Sequence, residues 1–167
     1  MFELMLMRHA KSDWHSDKAD FDRPLNQRGR QDASRIGRHL KQLNIIPDVI
    51  VSSAAKRTRQ TAELVNDYLA LDDSSMKFDK ELYLAGNESL RNIIEEYASD
   101  GMRLMVIAHN PGMDDLVSYL ANTALPLSSN DKLMSTAAVA GFQIPTLDCL
   151  TSPGMAEMKY IFRPKEL

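Results

Sequence analysis

Four residues in three separated stretches carry the clearest chemical signal. Arg8 and His9 follow the apolar run FELMLM, Arg57 lies within SSAAKRTRQTAE, and His109 stands between LMVIA and Asn110-Pro111-Gly112. Arginine keeps its charge at any physiological pH, and its planar fork grips phosphate oxygens two at a time. Cations clustered around a histidine depress its pKa, which favours a neutral, nucleophilic imidazole. Two guanidiniums and two imidazoles brought together would make a cup for a multiply charged anion, and phosphate fits it best. Arg23, before Pro24, is placed to reach the rim of such a cup.

The elements needed to bring these residues together can be read from periodicity. Phe2–Met7 is a nearly continuous apolar run, the pattern of a parallel strand covered on both faces. Asn26 is a candidate cap for a helix with Ala33, Ile36, Gly37, Leu40 and Leu43 on one face, ended by Asn44 and Pro47. Val49–Val51 reads as a second strand. Ser52 and Ser53 are candidate N-caps for a helix to about Leu69, with Ala55, Thr58, Ala62, Val65 and Leu69 inward. An extended piece follows around Lys77–Leu84, then a helix near Glu88–Tyr97 and a buried strand Leu104–Ala108. Pro111 suits the first turn of the next helix, and the chain finishes with strands Thr136–Ile144 and Met155–Phe162. Alternating strands and helices predict an α/β fold, three layers α/β/α around a mostly parallel central sheet. Ligands of such sheets bind beyond the carboxyl ends of the strands, where Arg8, His9, Arg57 and His109 fall.

Composition bounds the alternatives. The 167 residues, 44% hydrophobic and 26% charged, suit a single domain over residues 1–167. A net charge of -3 argues against nucleic-acid binding, which calls for a basic face. Cys149 is the only cysteine, so no intrachain disulfide or multi-cysteine zinc site is available. No apolar stretch reaches membrane-spanning length, and the charge order at the start is opposite to that of a secretory signal. A cytoplasmic protein, monomeric or weakly dimeric, is expected.

RHAKSDW, DRPLNQRG, SSAAKRTRQTAE and VIAHNPG, in this order and spacing, resemble the histidine phosphatase superfamily, whose fold is that of the phosphoglycerate mutases. The short length and the RPL and HNPG segments are most similar to its SixA-type phosphohistidine phosphatases. The resemblance covers about residues 2–145. It implies that His9 becomes phosphorylated while Arg8, Arg57 and His109 hold the phosphoryl group, with no metal or other cofactor. Ser12, His15, Arg23 and Asn110 are the expected further substrate contacts; His15 stands where many relatives carry asparagine. Ala10 replaces the more usual glycine of the first motif. Many relatives place a proton-donating glutamate between the second strand and the second histidine, and Glu81 is the nearest candidate. Its other reading is an exposed residue before buried Leu82 and Tyr83. Asp13, Asp17 and Asp20 read as loop residues that keep their segment soluble and salt-bridged.

The leaving group separates possible substrates. An alkoxide needs a positioned acid, worth typically 10²–10⁴ in rate. A phosphorylated imidazole protonated on its far nitrogen departs as neutral imidazole, whose conjugate acid has a pKa of about 6.5. A site without a dedicated acid is therefore expected to act on phosphohistidine in a protein, such as a phosphotransfer domain. A small phosphate ester is the alternative substrate, and a non-catalytic phosphoprotein-binding module the alternative class. A metallohydrolase built on His9, His15 and His109 is a third reading.

Overall fold

Strand β1 (Phe2–Arg8) alternates between two apolar layers, Leu4 and Leu6 packing into one and Met5 and Met7 into the other. Burial on both faces explains why no polar residue interrupts Leu4–Met7. In the computed structural model, which describes residues 1–167, β1 lies inside a six-stranded sheet of order β3-β2-β4-β1-β5-β6. Strands β2 (Val49–Ser53), β3 (Met76–Asp79) and β4 (Arg103–Ala108) run parallel with it. Strands β5 (Val139–Ile144) and β6 (Glu157–Phe162) close the β1 side antiparallel.

Helices cover both faces. Helices α1 (Gln27–Gln42) and α2 (Lys56–Leu69) bury Ala33, Ile36, Leu40, Ala62 and Val65 against Met5, Met7, Ile50, Met105 and Ile107. On the other side, α3 (Asn87–Tyr97) and α4 (Gly112–Leu120) bury Leu90, Ile94, Leu116 and Val117 against Leu4, Leu6, Val51, Leu104 and Val106. The predicted three-layer α/β/α architecture is the one observed. No helix is long and apolar enough to cross a membrane.

Several boundaries differ from the sequence reading for local reasons. Asn26 caps α1 by accepting from the Gly29 amide at 2.8 Å, as expected. The last residue of the anticipated apolar face, Leu43, lies beyond the helix and is exposed, because Asn44 turns the chain through a left-handed conformation (φ 56°). Ser52 and Ser53 belong to β2 and do not cap α2; Ala55 is the N-cap. Residues 136–138 lie before β5, because Ala137 adopts φ 64° and turns the backbone so that its amide donates to the His9 carbonyl at 3.1 Å. Residues 155 and 156 likewise precede β6.

Candidate active site

Sheet register places the two histidines. In the β1–β4 ladder Arg8 is level with Ala108, so the next residue of each strand, His9 and His109, emerges at the same carboxyl edge. Their ring centroids are 5.3 Å apart. Ser52 is level with Ile107 in the β2–β4 ladder, which sets Ser53 at the height of Ala108, one residue before His109; Ser53 Oγ lies 2.8 Å from His109 Nε2. The first turn of α2 supplies Arg57. Thr61, one turn on, binds this turn to the end of β1: its hydroxyl donates to the Arg57 carbonyl at 2.7 Å and accepts from the Ala10 amide at 3.0 Å.

His9 is buried, and its Nδ1 lies 2.7 Å from the Ala10 carbonyl. A carbonyl can only accept, so Nδ1 carries the proton and Nε2 keeps its lone pair. Burial is the largest influence and lowers its pKa to about 3; the Ala10 bond opposes it, and the proximity of His109, Arg57 and Arg8 lowers it further. His109 is likewise held at about 3, mainly by burial and by Arg57. Both rings are neutral at physiological pH. Three buried side-chain atoms have no hydrogen-bond partner within the chain: Arg8 Nε, Arg57 Nε and His109 Nδ1. Buried nitrogens rarely stay unpaired, and all three belong to residues expected to line one cup.

The remaining expected contacts divide. Ser12 and Arg23 are buried and joined, Arg23 Nε donating to Ser12 Oγ at 3.1 Å. The Arg23 guanidinium is sandwiched between Asp20, 2.7 Å from its Nη1, and the exposed Trp14 ring, 3.8 Å away. Asn110 spends its amide on the backbone, donating to the Met134 carbonyl at 3.1 Å and accepting from the Asp114 amide at 3.1 Å. These bonds position the His109 turn and leave one amide N–H of Asn110 uncommitted. His15 sits on an exposed turn, where its ring makes no hydrogen bond. No three His, Cys, Asp or Glu side chains come close enough to share a metal ion, so His9, His15 and His109 do not form the alternative trio.

Glu81 is not brought into the site. The 3₁₀ turn Lys80–Leu82 sends Leu82 into the core and leaves Glu81 exposed, where its charge is felt at Tyr97. Tyr83, the next residue out of that turn, packs its ring 5.5 Å from His109. Its hydroxyl donates to Asp20, which also accepts from Arg57 Nη2 at 3.1 Å, while the Asp20 carbonyl accepts from Arg57 Nη1 at 2.6 Å. Tyr83 and these arginines hold the Asp20 carboxyl down at about 2. Asp20 is thus salt-bridged as expected of its loop, but its partners are the site's own arginines. Sequence reading missed Tyr83, Ser53 and Thr61. The one available signal was position: Ser53 at the end of β2 and Thr61 one helical turn past Arg57.

The chain is similar to several known proteins. The profile of the histidine phosphatase superfamily, branch 1, matches residues 4–83. An uncharacterised Mycobacterium tuberculosis protein is 32% identical over 116 residues, 70% of each chain. An uncharacterised chloroplast protein of Arabidopsis thaliana is 32% identical over 135 residues, 75% of this chain; the match spans 62% of that protein. The structure of the protein histidine phosphatase SixA complexed with tungstate superposes with a TM-score of 0.80 over 98% of both chains, at 22% identity. Sequence and fold together give the assignment that the chain belongs to the histidine phosphatase superfamily.

Proposed function

We propose that the protein hydrolyses phosphohistidine in proteins through a phosphoryl group carried transiently on His9. The observation that carries this reading is the neutral His9 imidazole with its proton on Nδ1, within the electrostatic reach of Arg8, Arg57 and His109, each of which keeps one buried nitrogen without a partner in the chain. In the first step the Nε2 lone pair attacks phosphorus in line with the departing nitrogen. A bond from phosphorus to His9 forms as the bond to the substrate imidazole breaks, and that imidazole leaves neutral. Arg8 and Arg57 balance charge on the equatorial oxygens, the main catalytic task in phosphoryl transfer.

The Ala10 carbonyl acts in the second step. By keeping a proton on Nδ1 of the phosphorylated ring, it lets His9 depart as a neutral imidazole when water attacks. The proton of that water ends on the released phosphate.

Substrate class follows from the acid. The carboxyl bonded to Arg57 is Asp20, ionised at any pH above about 2, and Glu81 is exposed elsewhere. Neither is poised to protonate an alkoxide, so a leaving group that departs neutral is favoured. The test compares kcat/KM for a phosphohistidine protein with a panel of alkyl phosphate esters. A preference of about 10² or more for the P–N substrate is expected from the missing acid. Equal turnover of the esters would replace this reading with a small-molecule phosphomonoesterase.

A further inference from the structure

Beside the reaction centre lies a second concavity of about 260 Å³, between the start of α1, the segment 128–136 and the C-terminal residues 163–166. No hydrophobic residue lines it. Six cations do: Arg8, Lys11, Arg28, Lys132, Arg163 and Lys165, against the two carboxylates Asp32 and Glu166. Both carboxylates are already engaged, Asp32 by Arg28 at 3.6 Å and Glu166 by Arg163 at 3.2 Å. Arg163 is further tied to the carbonyls of Leu133 and Pro126. Arg8, Lys11, Lys132 and Lys165 form no salt bridge at all.

Three lysines without an ion-pair partner, Lys11, Lys132 and Lys165, gather here beside Arg8, whose charge is met in part by Asp114, in a chain of net charge -3. Like charges gathered at a concave surface repel, and their field draws in anions from solution. Arg8 belongs to both places: it lines this cavity, and its charge depresses both His9 and His109. A volume just below that of pockets for drug-sized ligands suits one oxyanion group and its attachment.

We infer that this cavity is a subsite for a second oxyanion group, carboxylate or phosphate, on the same substrate that presents its phosphoryl group to His9. The inference rests on the phosphatase reading above and narrows it to doubly anionic substrates. Such a group comes either from an acidic side chain near a phosphohistidine or from the second phosphate of a small bisphosphate.

The test pairs substrates that differ only in that group: a phosphohistidine peptide flanked by Glu or by Gln, and a sugar bisphosphate beside its monophosphate. The wild type is compared with the triple variant Lys11→Ala, Lys132→Ala, Lys165→Ala. The variant should lose on the order of tenfold in kcat/KM, through KM, on the doubly anionic member, with the singly anionic member changed less than about twofold. A loss confined to the peptide pair assigns the cavity to a protein substrate, and one confined to the sugar pair to a metabolite. Equal loss on both members, or none, overturns the subsite. Binding is read separately by titrating inorganic phosphate and following backbone amide shifts at residues 128–136 and 163–166. Shifts present in wild type and absent in the triple variant uphold the subsite even if no substrate turns over, a result that would instead defeat the phosphatase reading. No shift in wild type overturns the subsite.

Discussion

At the residue scale, the site is governed by which charges are compensated. Arg57 gives one Nη to the Asp20 carbonyl and the other to its carboxylate, so an arriving phosphate competes with Asp20 for the same guanidinium. Asp20→Asn keeps the shape and removes the charge. It should tighten product inhibition by inorganic phosphate about twofold to fivefold, the size of an exposed ion pair worth roughly 0.2–1 kcal/mol; weaker inhibition would mean that Asp20 assists binding. Arg57→Ala should lower kcat by about 10²–10³, as loss of one oxyanion donor does, and steady-state kinetics read it directly. Arg8, His9, Arg57 and His109 were legible in the sequence because no bland role suits all four types at strand and helix ends. Tyr83 and Asp20 were not, since a tyrosine after a turn and one aspartate among several acids carry no distinguishing pattern until the fold closes.

At the element scale, close backbone approaches hold the rim together. A Cβ on Gly112, just after the His109 turn, would lie 2.1 Å from the Ala85 carbonyl oxygen, two residues past Tyr83. The start of α4 and the loop carrying Tyr83 can meet only because that side chain is missing. Gly112→Ala should therefore push the two apart, lowering the thermal midpoint by several degrees, as about 1–3 kcal/mol of overpacking would; an unchanged midpoint would show that the loop yields freely. The strands and helices were readable because apolar runs and helical periodicity report burial, which the sheet and its two layers impose. Their ends were less so. Ser52 and Ser53 have the residue type of helix caps, yet β2 retains both, and one of the hydroxyls serves His109 instead. Residues 136–138 have strand character, but the turn at Ala137 is dictated by a bond to the His9 carbonyl, a partner about 128 positions away that no local pattern encodes.

At the scale of the whole molecule, a neutral, buried histidine pair costs stability in acid. His9 and His109 titrate at about 3 when folded and near 6.5 when unfolded. Between those values the unfolded chain binds protons that the native state does not, so stability is full above about pH 6.5 and falls as pH drops through the window toward 3. Asp20, lowered to about 2, adds a stabilising contribution that is lost only below about pH 4. Urea midpoints at pH 7.5 and 4.5 should therefore differ clearly in wild type and much less when His9 and His109 are both replaced by Gln; an equal acid sensitivity would place the titrating groups elsewhere. The same convergence of distant strand ends that makes this acid liability also places the proposed nucleophile, which gives the most direct test. Protein mixed with a labelled phosphohistidine substrate and quenched within milliseconds should carry label that is stable in alkali, labile in acid and located on His9. Absence of label from a His9→Asn variant that no longer turns over would complete that result, whereas unlabelled wild type during turnover, or a His9 variant that keeps full activity, would contradict it.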